Sequence, residues 1–494
     1  MVSAAFQTFK ANDPYELLIS QIIQVESQPL YDLQVKRDTQ DRISSALDTF
    51  DSDVSSLHTL LSSFTDTFSN PFAARSAELS DATSFSVTAG DEAPLGSHSL
   101  QVLRLASTDT RISQQYTSSG SSLRSFFDTN GEQTFEINVT SPTDTDPNNR
   151  VTVSVTVNPT GTTDEAILDE ISLAINDAMD AAIDAGTIQT VEAANASVVN
   201  ETTDTARLSL RSGQTGYANR LEFTDSAAGL LAQLDVTNAA VATGTGGGQV
   251  TSVGTSETDS ELNAQFVLDG LTIYRSSNQV TDALQGLTLD LKQVGDPFDF
   301  SVGPDTEGIT DQISDFISKY NAILEFIDGN TQVDSDLDIR ADFAGDSLLT
   351  GLKFGMRSDI AQQVTGQPVG APTLLTEIGI TINDDGTLEL SDTDALTDAL
   401  SENADAVQSL FSGSDGIATR LKDRLDTYIG TNGLIDNRMD SVDDRISRLD
   451  DQITDYEDRL SQREDQLRLQ FARLQEALAL FQGQQQTLGS FFGF

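Results

Sequence analysis

The sequence predicts an α+β, multidomain protein in which N- and C-terminal helices pair as a coiled coil or helical bundle around inserted β-rich domains. Three observations predict it. Apolar residues recur in heptads near both ends, apolar and polar residues alternate over short runs between them, and turn dipeptides punctuate those runs. At 494 residues the chain is also too long for one core, and about three domains follow from roughly 150 residues each.

The first helix is announced by Asp13 as its cap, Pro14 at the first helical position and Glu16 three past the cap, a capping box. Leu17, Leu18, Ile22 and Val25 follow at helical spacing. Pro29 then kinks or restarts the helix, because it lacks an N–H and clashes with the preceding turn. Beyond it Ile43, Leu47, Phe50, Val54, Leu57, Leu61, Phe64 and Phe68 step alternately by four and three residues, the pattern of a seam buried against another helix. Asn70-Pro71 ends the series.

The C-terminal end mirrors this. Val442, Ile446, Leu449, Ile453, Tyr456 and Leu460 keep the four–three alternation, and Leu467, Phe471, Leu474, Leu478 and Phe481 continue it after a phase slip. Asp444 with Arg448, Asp455 with Arg459 and Glu464 with Arg468 stand at i,i+4 with the acid first, the favoured order. A third amphipathic helix places Ile309, Ile313, Phe316, Ile317, Tyr320, Ile323, Leu324 and Ile327 on one face.

Between these helices the period changes to two. Phe135, Ile137 and Val139, then Val151, Val153, Val155 and Val157, then Leu287, Leu289 and Leu291, all alternate with other residues as half-buried strands do. Asp269-Gly270 between Phe266-Val267-Leu268 and Leu271-Thr272-Ile273 signals a two-residue hairpin with positive φ. One helix interrupts, with Ile167, Leu168, Ile171, Ile175 and Met179 at helical spacing. The run Gly244-Thr245-Gly246-Gly247-Gly248 reads as a flexible link or long turn.

Charge excludes several function classes. Asp and Glu number 77 against 28 Lys and Arg, a formal net charge of −49. Such a surface repels phosphate backbones and anionic lipid, so no nucleic-acid or membrane partner is expected. Self-repulsion on this scale is tolerable where salt shortens the screening length, which suggests a high-salt habitat. There is no cysteine, so thiolate chemistry is excluded. The N-terminus lacks the basic-then-apolar layout of a secretory signal, and no run reaches the roughly 18 apolar residues of a membrane span.

No catalytic or cofactor site emerges. His58 and His98, the only histidines, read as surface residues without the convergent partners of a triad or zinc site. Asp334, Asp336 and Asp338 imitate a calcium loop, but Ile339 replaces its turn glycine and Gly345 its bidentate glutamate. The glycine run has no following Gly-Lys-Ser/Thr for phosphate. Asn383-Asp384-Asp385-Gly386 is hairpin chemistry. Carboxylate pairs are too common here to indicate acid–base catalysis. The tail, with Phe491, Phe492 and Phe494, has no evident core to enter and points to a partner surface.

Read together, these segments resemble the flagellar hook-associated protein 2, or filament-cap, family. The likeness rests on Ile19 to Leu30 with its Gln28-Pro29-Leu30 break, on Pro94-Leu95-Gly96-Ser97-His98-Ser99-Leu100-Gln101-Val102, and on Asp164 to Ala178. Asn263 to Leu291 is its most specific part. Ile378-Gly379-Ile380, Asp385-Gly386-Thr387-Leu388, Ala406 to Phe411, Arg463 to Leu467 and Phe471 to Leu474 follow in order. Residues 110–260 carry the least of it, and Lys10-Ala11-Asn12-Asp13-Pro14 departs from the family's Gly-Leu-Asp-rich opening.

The resemblance implies a non-enzymatic cap: a homo-oligomeric ring at the filament tip, with helical legs below β-rich heads, that promotes flagellin polymerisation and filament elongation. It implies four parts: a coiled-coil leg (1–45 and 436–494), a helical bundle (46–75 and 309–435), an inner head (76–115 and 262–308) and an outer head (116–261). The seam from Ile43 to Phe64 and from Val442 to Phe481 is then the candidate assembly interface. Partners would be further copies of the chain, flagellin, hook–filament junction proteins, an export chaperone at the C-terminal helix and the flagellar export apparatus. The protein would be extracellular, on the flagellum, exported without a cleaved signal peptide. Two alternatives remain: another filament-type subunit, either flagellin or a junction protein, and an adhesin acting in cell adhesion through residues 76–308.

Overall fold

The computed structural model describes all residues except 1–13, 68–69, 80–82, 145, 147, 335–338 and 493–494. Its helices in chain order are α1 (Pro14–Glu26), α2 (Gln28–Thr65), α3 (Ser122–Asn130), α4 (Asp164–Asp184), α5 (Leu230–Leu234), α6 (Thr306–Thr331), α7 (Ser347–Ala361), α8 (Thr393–Ser412), α9 (Ile417–Leu425) and α10 (Leu434–Phe492). The chain divides into two compact units. One is helical and joins both ends of the chain, up to Phe72 and from Thr306 onward; the other is β-rich and runs from Ala73 to Asp305. The α+β plan of helical ends and a β-rich insertion is therefore as the sequence predicts.

In the helical unit α1 begins at Pro14, where a missing N–H costs nothing. Its expected cap, Asp13, lies outside the described residues. Ser27 interrupts the helix for one residue, and α2 restarts with Pro29 in its first turn. The apolar face of α2 packs on α6, α8, α9 and α10. Phe64 sits in a ring cluster with Phe72, Phe316 and Phe411, at centroid distances of 5.3, 6.4 and 5.8 Å. The predicted face of α6 is buried in the same core along its whole length. Helices α7 and α8 start where Asp346 and Asp392 accept backbone N–H bonds from Leu348 and Ala395. Asp359 of α7 and Arg424 of α9 form a two-bonded ion pair at 2.5 and 2.9 Å. The hairpin of Ile380–Ile382 and Leu388–Leu390 docks on α6, where Asn321 exchanges two hydrogen bonds with Leu388.

The β-rich unit holds two separate hydrophobic cores. The first lies on a five-stranded antiparallel sheet ordered Arg75–Leu79, Phe298–Pro304, Gly96–Arg104, Ala264–Leu268, Leu271–Arg275, and on a three-stranded sheet of Gln279–Val280, Leu287–Leu291 and Phe85–Ala89. The Asp-Gly hairpin is present, with φ of 51° at Asp269 and 83° at Gly270. The second core is covered by α4 and lies on two sheets, one pairing Gln133–Thr140 with Arg150–Val157 in full register, the other built around Thr205–Thr215. Thr163 caps α4 through the N–H of Ala166.

Three sequence expectations need correction. His98 lies within the strand Gly96–Arg104 and bonds Asp269 at 2.8 Å, and His58 bonds Asp426 of α9 at 2.7 Å, so both are partly buried and partnered rather than free on the surface. Burial raises the Asp426 carboxyl, but bonds from Lys422 and His58 outweigh it and hold that group below its usual range. Of the two readings of the glycine run, flexible link or long turn, the turn holds and the flexible link does not. Arg207 reaches the carbonyls of Gly244 and Gly246 at 2.5 and 2.7 Å, and a Cβ on Gly247 would meet Asp235 O and Gln114 N, each at 2.7 Å. Of the three i,i+4 pairs, Glu464–Arg468 forms at 2.6 Å. Arg459 instead bonds the Asp455 carbonyl and stacks on Tyr456, and Arg448 has no ion pair among the described residues. Phe68, Asp336 and Asp338 lie outside the described residues.

Candidate assembly interface

The two ends of the chain zip together, antiparallel. Four polar contacts run in step along α1, α2 and α10: Ser44 to Asp443 at 3.4 Å, Arg37 to Asp450 at 3.1 Å, Glu26 to Arg463 at 3.2 Å and Glu16 to Arg468 at 3.4 Å. The Tyr456 hydroxyl also donates to the Glu26 carbonyl at 3.3 Å. Each step toward the N-terminus on one strand of the pair is matched by a step toward the C-terminus on the other. At the far end the Tyr15 and Phe471 rings meet at 5.5 Å.

Heptad residues sort into three groups along this pair. Ile43, Leu47, Phe50, Val54, Leu57, Leu61 and Phe64 are buried in the core of the helical unit, and Val442 joins them. These side chains leave no surface for a partner. They hold the unit together, and the partners of the α2 series are four helices rather than one, because an apolar stripe that wide is covered from several sides. Ile446, Leu449, Ile453, Tyr456, Leu460 and Phe471 are half-buried. Leu467 is 5% exposed and lies on the stretch that α1 covers, where Ile19 is 3% exposed. Leu474, Leu478 and Phe481 are 45%, 44% and 69% exposed.

Apolar side chains thus become uncovered toward the end of α10, where Leu469 and Leu480 are open as well. On the other strand of the pair Leu17, Leu18, Val25, Tyr31 and Val35 are exposed. An apolar surface of this extent on paired helices is the kind that a partner covers. The heptad reading missed Ile19, Glu16, Glu26 and Arg37. Ile19 is not among the Leu17, Leu18, Ile22 and Val25 series read for the first segment, three of which are exposed; the three charged residues are fixed by partners more than 400 positions away.

Among the described residues no group of three or more His, Asp and Glu is placed to hold a metal, and no helix is long and apolar enough to cross a membrane.

Two family models match the chain: the flagellar hook-associated protein 2 N-terminus over residues 14–109 and the flagellar hook-associated protein 2 C-terminus over residues 262–482. Among curated relatives, the A-type flagellar hook-associated protein 2 of Pseudomonas aeruginosa is 34% identical over 187 residues, 36% of this chain and 38% of that one. The flagellar hook-associated protein 2 of Salmonella typhimurium is 30% identical over 192 residues, 36% of this chain and 40% of that one. In both cases the matched segment spans less than half the relative's length. Among solved structures, the D1-D2-D3 domains of the Escherichia coli flagellar cap protein FliD share the fold, with a TM-score of 0.55 at 24% identity over 81% of this chain and 99% of that one.

Proposed function

The chain belongs to the flagellar hook-associated protein 2 family, and on that premise we propose that it caps the growing flagellar filament. In this reading it forms a homo-oligomeric ring at the tip, outside the cell, and promotes flagellin polymerisation without catalysing any reaction. The paired ends form the leg, the α2–α6–α8–α9 core forms the bundle, and the two β cores form an inner and an outer head.

The observation that supports this most directly is the graded burial of α10. The same heptad pattern that is sealed at Val442 is open at Leu474, Leu478 and Phe481, so the chain carries more apolar seam than it covers itself. In the assembled filament that surplus would lie against neighbouring copies, flagellin or hook–filament junction proteins. Before export through the flagellar apparatus, a chaperone would hold the same surface. The net charge of −49 fits a life in concentrated salt.

The test is genetic and visual. Cells lacking the gene should release flagellin into the medium and carry filaments without a tip structure by electron microscopy. A double variant, Leu449→Asp with Ile453→Asp, should reproduce that defect while its β-rich unit stays folded. Filaments of normal length and tip from that variant would refute the cap assignment.

A further inference from the structure

Lys36, Arg445 and Arg448 line one groove between α2 and α10 together with Val35, Leu449 and Gln452. No carboxylate lines it, in a chain that carries 77 of them. None of the three cations has an ion pair among the described residues, whereas nearby Arg37 holds two and Arg42, Arg438 and Arg463 hold one each. The Oε1 of Gln40, buried in the same groove, also has no hydrogen-bond partner. Apolar surface is available too, since Val35 is exposed and Leu449 half-buried.

The complementary surface is on the same helix. Asp444, Asp451, Asp458 and Asp465 recur every seven residues along α10, all exposed and all without an ion pair among the described residues. Seven residues of α-helix rise about 10.5 Å, and at about 100° per residue Asp451 and Asp458 lie roughly 120–140° around the helix from Arg445 and about 60–80° from Arg448. One helix therefore presents a cationic flank and an acidic flank in different directions. A contact that joins unlike flanks of identical chains is head-to-tail, and a head-to-tail contact builds a ring where its rotation closes and an open helical filament where it does not.

We propose that neighbouring copies of this chain pack leg against leg, with the Asp451–Asp458 part of the row on one copy seated in the Lys36–Arg445–Arg448 groove of the next. This rests on the ring proposed above and names the surface that orders it. Opposite charges flanking an apolar seam set partner and orientation in coiled coils. Here they give every copy the same sense around the ring.

Salt alone cannot test the contact, because screening weakens it while also relieving the repulsion of −49 per chain. Charge exchange can. One full-length variant carries Lys36→Glu, Arg445→Glu and Arg448→Glu; a second carries Asp451→Lys, Asp458→Lys and Asp465→Lys. Circular dichroism checks that both fold, and sedimentation velocity reads their assembly beside the wild type. Each variant alone should associate roughly a hundredfold more weakly than wild type, as several surface pairs turn from attraction to repulsion. Mixed one to one they should recover assembly, since the groove of each then faces an oppositely charged row. Wild-type assembly with unimpaired single variants, or no recovery on mixing, overturns the groove–row contact and leaves the cap assignment standing. A wild-type chain that never associates overturns the ring itself, and this contact with it.

Discussion

Phe64 and Phe481 occupy the same kind of heptad position, and replacing each by alanine should give opposite results. Phe64 is fully buried and touches the rings of Phe72, Phe316 and Phe411. Removing it costs the transfer energy of the ring and leaves a cavity that the three neighbours cannot close, about 3–5 kcal/mol. For a unit of this size each kcal/mol moves the midpoint by about 2–4 °C, so a fall on the order of 10 °C is expected. Phe481 is 69% exposed, so its removal should change stability by no more than about 0.5 kcal/mol. Its effect should fall on association instead. The assay is thermal unfolding by circular dichroism on dilute monomer, where the helical unit dominates the signal, followed by sedimentation at rising concentration. A Phe64→Ala shift of only a degree or two, or a Phe481→Ala shift as large as it, would refute the division of the seam into a sealed and an open part.

Two further perturbations address charge. Asp259 accepts bonds from the Ser256 hydroxyl and from the N–H groups of Thr255 and Ser256, which pull its carboxyl from the usual 3.8 down to about 2. A lowered carboxyl stabilises the fold above its unfolded value and loses that contribution as pH falls through the folded one. The melting difference between wild type and Asp259→Asn should therefore be constant above about pH 4 and close as pH falls toward 2; a difference that persists unchanged would show that these bonds do not hold the Asp259 carboxyl down. The second perturbation is salt. Screening shortens from about 30 Å at 0.01 M to about 3 Å at 1 M, so the melting temperature of a chain with 49 excess negative charges should climb steeply over that range. A flat profile would remove the basis for a high-salt habitat.

Much of the fold was legible because it is set by local pattern. Alternation at Phe135–Val139 and Val151–Val157 became a pair of strands in register, and Asp269-Gly270 became a turn with both φ values positive. The face of α6 was correct residue by residue. What failed depended on partners far along the chain. A glycine run is flexible or fixed according to what reaches it, and Arg207 does so from about 40 residues away. His58 looked like a surface residue until Asp426 stood beside it. The groove was invisible for the same reason, since Lys36 and Arg445 are neighbours only because α2 and α10 run antiparallel. A heptad says that a face is covered; it does not say by which helix, or whether by this chain at all.

That last ambiguity bears on how the paired ends behave. Near Val442 they are anchored by a continuous core, but beyond Leu460 they are held by Leu467 with Ile19, by the Tyr15–Phe471 contact and by two half-exposed ion pairs. Pairs this open to solvent contribute on the order of 1 kcal/mol each, and a short apolar contact adds little more. Local opening should therefore be easiest at the α1–α10 end and hardest at the α2–α6 core, because opening free energy follows the density of buried contacts. An element that separates from its own chain at low cost can exchange that contact for one with a neighbour, and the uncovered Leu474, Leu478 and Phe481 lie just past the point where the separation would begin. Amide exchange should rank the helices in that order, with α1 and the last third of α10 fastest; uniform protection along α10 would mean that its end is as firmly held as its beginning.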